Sequence, residues 1–252
     1  MTRPCLFAFA AAAALLFSCS VPARAQSFAL DSADGLTLND VAAEAAMLEG
    51  KRGVRVTIAP DAERRMQSMT PQQAAANPVE PLAIVEGLSF SNGVIEAEIA
   101  GAPGPGAGGG ARGFVGIAFR VQQDRKTYDA FYLRPTNGRA EDQERRNHSA
   151  QYISHPDWAW YRFRKEMPEK YESYVDLEPG KWTKVRIEVS GDKARLFVHG
   201  NAQPTLIVND LKTGAGGQGG VALWIGPGTV AHFRDLKVER KLGSPPGGPV
   251  GE

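Results

Sequence analysis

From residue 88 onward, apolar and polar residues alternate with the two-residue period of strands, and glycine or proline interrupts the runs at intervals. In residues 94–99, Ile95, Ala97 and Ile99 share one face and Glu96 and Glu98 the other. Residues 114–121 predict a strand with Val115, Ile117, Phe119 and Val121 inward and Gly116, Ala118 and Arg120 outward. Residues 128–134 place Phe131 and Leu133 inward and Tyr128, Tyr132 and Arg134 on the opposite face. Small outward residues on one strand leave room beside tyrosines and an arginine on the next, which predicts a shallow groove. Residues 182–189 and 194–199 form a hairpin across a Gly-Asp turn, with Val185, Ile187, Val189, Leu196 and Val198 as core. Residues 219–225 and 230–238 close the domain.

The N-terminal part is less regular. Residues 28–30 and 36–38 predict short strands. Residues 41–48 are alanine-rich, and propensity alone favours helix. The alternating run 53–58 follows at once, however, and pairing through a turn at 49–52 makes both segments strands. Residues 61–78 are polar and β-poor, an excursion with one helical turn. Gly101 to Gly110 form a flexible hairpin loop, and residues 135–180 a long polar connection. Ten to twelve strands between Gly/Pro turns predict an all-β, two-sheet antiparallel sandwich in a single domain, 26–240. Residues 241–252 have nothing to bury and are expected to be a disordered tail.

The chain opens with Arg3, an apolar run at 6–17 and Ala23-Arg24-Ala25, the pattern of a secretory signal peptide spanning residues 1–25. The run is shorter than the roughly 20 apolar residues of a bilayer span, so no membrane span is expected. Leu16-Phe17-Ser18-Cys19 partly matches a lipobox, making a lipid anchor at Cys19 the alternative. The expected compartment is periplasmic or extracellular. Losing Arg3 and Arg24 takes the formal net charge from +1 to −1, a balance that excludes nucleic acid as partner. Both cysteines lie in the leader, so stability must come from a core rather than disulfides.

Candidate chemistry gathers in residues 128–174, which hold all six tyrosines, two of four tryptophans and two of four histidines. Sugar rings stack on indole through their C–H faces, and their hydroxyls need oriented polar partners. Trp158 and Trp160 are the candidate anchors if exposed, and loop plugs if buried. Tyr128, Tyr132, Arg134, Asn137, Arg145, His148 and Gln151 supply the remaining candidate ligand contacts. An arginine fork suits a carboxylate or vicinal oxygens, as in uronic or sulfated sugars. Glu141, Asp142, Glu144 and Asp157 could instead neutralise the arginines. Catalytic candidates are weaker. Glu96 and Glu98 lie about 7 Å apart at Cα, within range of a retaining glycosidase pair. His148 and His155 become general bases if paired with Asp157, Asp129 or Glu166.

The order WTKVRIEVSGDKARLFVHGN, a Gly-rich turn, GGVALWIG and AHFRDLKVER resembles the C-terminal half of concanavalin A-like lectin/glucanase jelly rolls. More particularly, it resembles secreted bacterial relatives of laminin-G-like modules and of the 3-keto-disaccharide hydrolase family, over about residues 85–240. The resemblance implies a jelly roll that binds a glycan or another surface ligand. Its alternatives are a glycoside hydrolase of the same fold and a structural or adhesive protein-binding module. Laminarinase-type relatives use Glu-x-Asp-x-x-Glu on one strand, whereas this chain offers Glu96 and Glu98 without a third acid. No cofactor is expected beyond a structural Ca²⁺, with Asp31, Asp34 and Asp235 as candidate ligands.

Overall fold

Two antiparallel sheets face each other in a computed structural model that describes residues 24–70, 73 and 78–241. One sheet has the order β13 (Leu206–Val208), β12 (Lys193–Val198), β11 (Thr183–Ser190), β6 (Gly93–Pro103), β15 (Thr229–Arg240), β4 (Lys51–Ile58), β3 (Val41–Leu48), and β1 (Arg24–Phe28) also pairs with β15. The other runs β10 (Glu172–Ser173), β9 (Ala150–His155), β8 (Tyr128–Leu133), β7 (Val115–Val121), β14 (Gly220–Ile225), β5 (Leu82–Val85), β2 (Leu36–Asn39). The inward positions of both sheets form one core, including Ile95, Ile99, Ile117, Phe119, Phe131, Ile187, Leu196, Leu223 and Phe233. The architecture is the expected all-β two-sheet sandwich.

Residues 41–48 are a strand despite their alanines. Leu48 pairs with Lys51 across a two-residue turn, and Glu49 and Gly50 have φ of 49° and 73°. Two consecutive positive φ values give the tight hairpin turn whose twist matches its strands. Ladder pairing along all eight residues outweighs helix propensity here. The polar excursion contains the helix Pro60–Ser68, started by a proline at its first position.

Two expectations need correction. Val121 does not face the inter-sheet core. Arg120 has φ of 57° and is skipped where β7 pairs with β14, a bulge that reverses the alternation. Val121 thereby joins the outer cluster with Ala118, Tyr128 and Trp224, while the Arg120 side chain becomes fully buried. The second correction is β9, which lies within the stretch read as a polar connection. Five of its six residues are buried, on both faces, with polar Gln151 and Ser154 among them. A two-sided buried strand lacks apolar–polar alternation.

Residues 1–23 and 242–252, on which most of the expected leader and nearly all of the expected tail fall, lie outside the described residues. No described helix is long and apolar enough to cross a membrane.

Candidate functional site

The outer face of the second sheet is built by alternate positions of its central strands. β8 contributes Tyr128 and Tyr132, β9 Gln151, Ile153 and His155, and β14 Trp224. Gly116 of β7 pairs with Tyr132, and a Cβ there would lie 2.2 Å from the Phe131 carbonyl oxygen and 2.5 Å from the Tyr132 Cβ. Only a missing side chain lets Tyr132 settle against β7. The Tyr132 ring then packs on Trp224 at 4.6 Å and on Phe114 at 6.1 Å.

These rings are a floor, which corrects the expectation that they meet solvent. Tyr128, Tyr132, Arg134, Asn137 and Gln151 are all buried. Arg134 donates to the Tyr132 hydroxyl at 2.6 Å, to Gln151 Oε1 at 2.9 Å and to the His148 carbonyl at 3.0 Å, and it lies 3.4 Å from Glu172. With so many acceptors supplied by the fold, Arg134 orders the floor. Burial raises the pKa of both phenols, Tyr128 and Tyr132, so each stays protonated.

Two clefts open over this floor. The larger, of about 720 Å³, is lined by Arg112, Phe114, Arg134, Asn137, Arg145, His148, Trp160 and Arg164. The smaller, of about 240 Å³, is lined by Glu80, Tyr128, Tyr132, His155, Trp160, Tyr161 and Trp224. Phe114, Trp160 and Pro227 border both. The helix Trp160–Glu166 stands at this junction, leaving Trp160 45% and Tyr161 64% exposed. Five of the residues expected as ligand contacts (Arg134, Asn137, Arg145, His148, Trp160) thus line one cleft, and Tyr128 and Tyr132 line its neighbour.

Trp158 is not an exposed anchor. It stacks on buried Phe163 at 5.2 Å, with Arg162 at 4.0 Å and Lys212 at 4.7 Å from its ring. The start of the helix at Trp160 breaks the extended spacing that would have put both indoles on one side. His148 pairs not with Asp157, Asp129 or Glu166 but with Glu172, whose Oε2 lies 2.5 Å from its Nδ1. Its pKa is lowered by burial, against the Glu172 charge, with Arg164 and Arg134 adding to the lowering. His155 has Glu80 as its acid, with both carboxylate oxygens 3.1 Å from Nδ1. Tyr128 donates to the same carboxylate at 2.6 Å, and Trp224 donates to the Tyr128 hydroxyl at 3.1 Å. Glu80 and Glu172 escaped the sequence reading because neither belongs to a motif.

Glu96 and Glu98 project from the outer face of the other sheet, and Glu98 pairs there with Lys51 at 3.2 Å and Arg234 at 3.5 Å. They belong to neither cleft. Asp235 is engaged by Arg234 at 2.6 Å, and among the described residues no cluster of three His, Cys, Asp or Glu side chains occurs, so Asp31, Asp34 and Asp235 are not gathered into one.

No protein-family model matches the chain, and no curated protein sequence matches it. Among solved structures it is similar to a protein of unknown function with a galectin-like fold from Bacillus subtilis, with a TM-score of 0.52 and 9% identity over 87% of this chain and 96% of that one. Two others align at lower TM-scores and bear on neither site nor activity here. A carbohydrate-binding module from Bacillus subtilis gives 0.47, at 12% identity over 80% and 97% of the two chains. A transglycosylase in complex with NAG gives 0.46, at 13% identity over 86% and 83%. The chain has a galectin-like, two-sheet β-sandwich fold.

Proposed function

We propose that the protein binds carbohydrate in the groove formed by the two clefts on the outer face of the second sheet. The observation that carries this reading is Trp160. It is a large, exposed indole at the junction of two clefts, held over a buried aromatic floor. An isolated exposed tryptophan needs no explanation, but one bordered by Asn137, Arg145 and His155 pairs a C–H stacking surface with hydroxyl partners. Secretion by way of the leader is part of the proposal, since extracellular glycans would be its targets, and cell fractionation tests it. A glycan array tests binding. Hits lost in Trp160→Ala at unchanged melting temperature support the reading, and an array without hits refutes it.

One observation favours glycoside hydrolysis as a second reading. Glu80 is placed to accept from an Nδ1–H of His155, the tautomer that would leave Nε2 as a base. Among the described residues Nε2 has no partner. Reducing-sugar release from array hits, abolished in His155→Gln, distinguishes an enzyme from a binding module.

A further inference from the structure

Charge distinguishes the two clefts. Four guanidinium groups line the larger one: Arg112, Arg134, Arg145 and Arg164. Glu172 serves Arg134 and, at 2.7 Å, Arg164. Asp142 accepts from the Arg145 backbone N–H at 2.7 Å as a helix cap, and the Glu144 side chain is almost wholly in solvent.

Arg112 and Arg145 remain, and among the described residues neither forms an ion pair. Arg112 donates from one nitrogen, to the Gly109 and Ala111 carbonyls at 2.6 and 3.1 Å. Arg145 reaches only neutral acceptors, Asn137 Oδ1 at 3.1 Å and the Thr136 oxygens at 3.3 and 3.4 Å. A guanidinium has five N–H donors in a fixed fork, so both groups keep donors to spare. Thr136 ties them together, because its N–H donates to the Arg112 carbonyl at 3.3 Å. Burial, and then the charges of Arg145 and Arg134, hold the Arg112 guanidinium below its ordinary pKa. Phe114 and Trp160 wall the same cleft with apolar faces. The formal net charge of the whole chain is only +1, so the attraction is local to this cleft.

We infer that the larger cleft is a subsite for an acidic sugar, with its carboxylate or sulfate group held between Arg112 and Arg145 and its ring against Trp160. This rests on the glycan-binding reading above. Bidentate guanidinium pairing to such a group is charge-assisted and directional, so it confers selectivity over neutral sugars.

Calorimetric titration of the purified protein tests the inference with oligogalacturonate, a sulfated galacto-oligosaccharide, a neutral galacto-oligosaccharide and inorganic sulfate. At least one acidic probe should bind about tenfold or more tighter than the neutral one, and raising salt to roughly 0.3 M should weaken it. The arm that binds identifies carboxylate or sulfate as the group recognised. Arg112→Gln and Arg145→Gln should each abolish that preference. Arg112→Lys should retain part of it. Arg139→Gln, at an exposed arginine already paired with Asp176 and Glu178, should change nothing.

Equal affinity for acidic and neutral probes, or acidic affinity untouched in both Gln variants, overturns the subsite while leaving glycan binding intact. Inorganic sulfate binding as tightly as the sulfated sugar overturns it as well. So does a panel in which nothing binds, and the glycan array then judges the broader reading separately.

Discussion

Arg120 and the pair Arg112/Arg145 place the same side chain in two settings. Arg120 has no exposed surface, and it is saturated by Ser91 O at 2.9 Å, Gly191 O at 2.7 Å, Gly214 O at 2.8 Å and Thr213 Oγ1 at 3.0 Å, with Asp129 4.0 Å away. Asp129 accepts in turn from Tyr152 at 2.6 Å and from Thr213. Burial raises the Asp129 pKa, and its hydrogen bonds and Arg120 oppose that rise. Arg112 and Arg145, by contrast, line an open cleft with donors left over. A buried charge must have every donor met, or it costs more than folding can recover. An arginine that a fold leaves partly unmet beside solvent is free to meet something else. On the proposed reading, that difference separates a structural guanidinium from a recognising one.

The largest expected effect breaks the structural side of the comparison. Arg120→Met leaves Asp129 buried without its counter-charge and should cost about 3–5 kcal/mol in urea denaturation. A loss below about 1 kcal/mol would show that the network is not structural. Next, Gly116→Ala forces a methyl group against the Phe131 carbonyl and Tyr132, an overpacking expected to cost about 1–3 kcal/mol. Because it displaces the floor of the groove, it should weaken glycan binding too, so a variant with unchanged stability and affinity contradicts the assigned floor.

Trp160→Ala should reduce affinity by about 1–3 kcal/mol while changing stability by less than about 0.5 kcal/mol. A large fall in melting temperature would instead make Trp160 a packing residue like Trp158. The smallest effect is on pH dependence. His232, its pKa lowered by burial and then by Arg55, and His148, described above, resist protonation in the folded chain. The unfolded chain takes up those protons near pH 6.5. Stability should therefore be complete above that pH and decline as pH falls through it toward the lowered folded values. His232→Gln should flatten this decline in melting temperature between neutral and mildly acidic pH, and an unaltered slope would locate the titration elsewhere.

Much of the scaffold was readable because its strands bury one face. The 182–199 hairpin and the inward set Ile95, Ala97 and Ile99 follow directly from period-two alternation. β9 was not readable, since a strand covered on both sides has no polar face to reveal it. The site was readable as a region: Arg134, Asn137, Arg145, His148 and Trp160 do converge. Their exposure was not. Composition marks a stretch rich in rings and forks, but whether Tyr132 ends under Trp224 depends on how neighbouring strands pack over it.

By itself the sequence determined the two-sheet sandwich, the placing of most of the core and the segment that carries the groove, because hydrophobic period and turn residues act locally along the chain. Tertiary structure decided which arginines are saturated and which remain open, that Glu80 and Glu172 are the partners of the two histidines, and that Glu96 and Glu98 lie on the other sheet. Those outcomes depend on acceptors contributed from strands distant in sequence, and a linear pattern holds no record of which carbonyl or carboxylate will stand beside a given side chain.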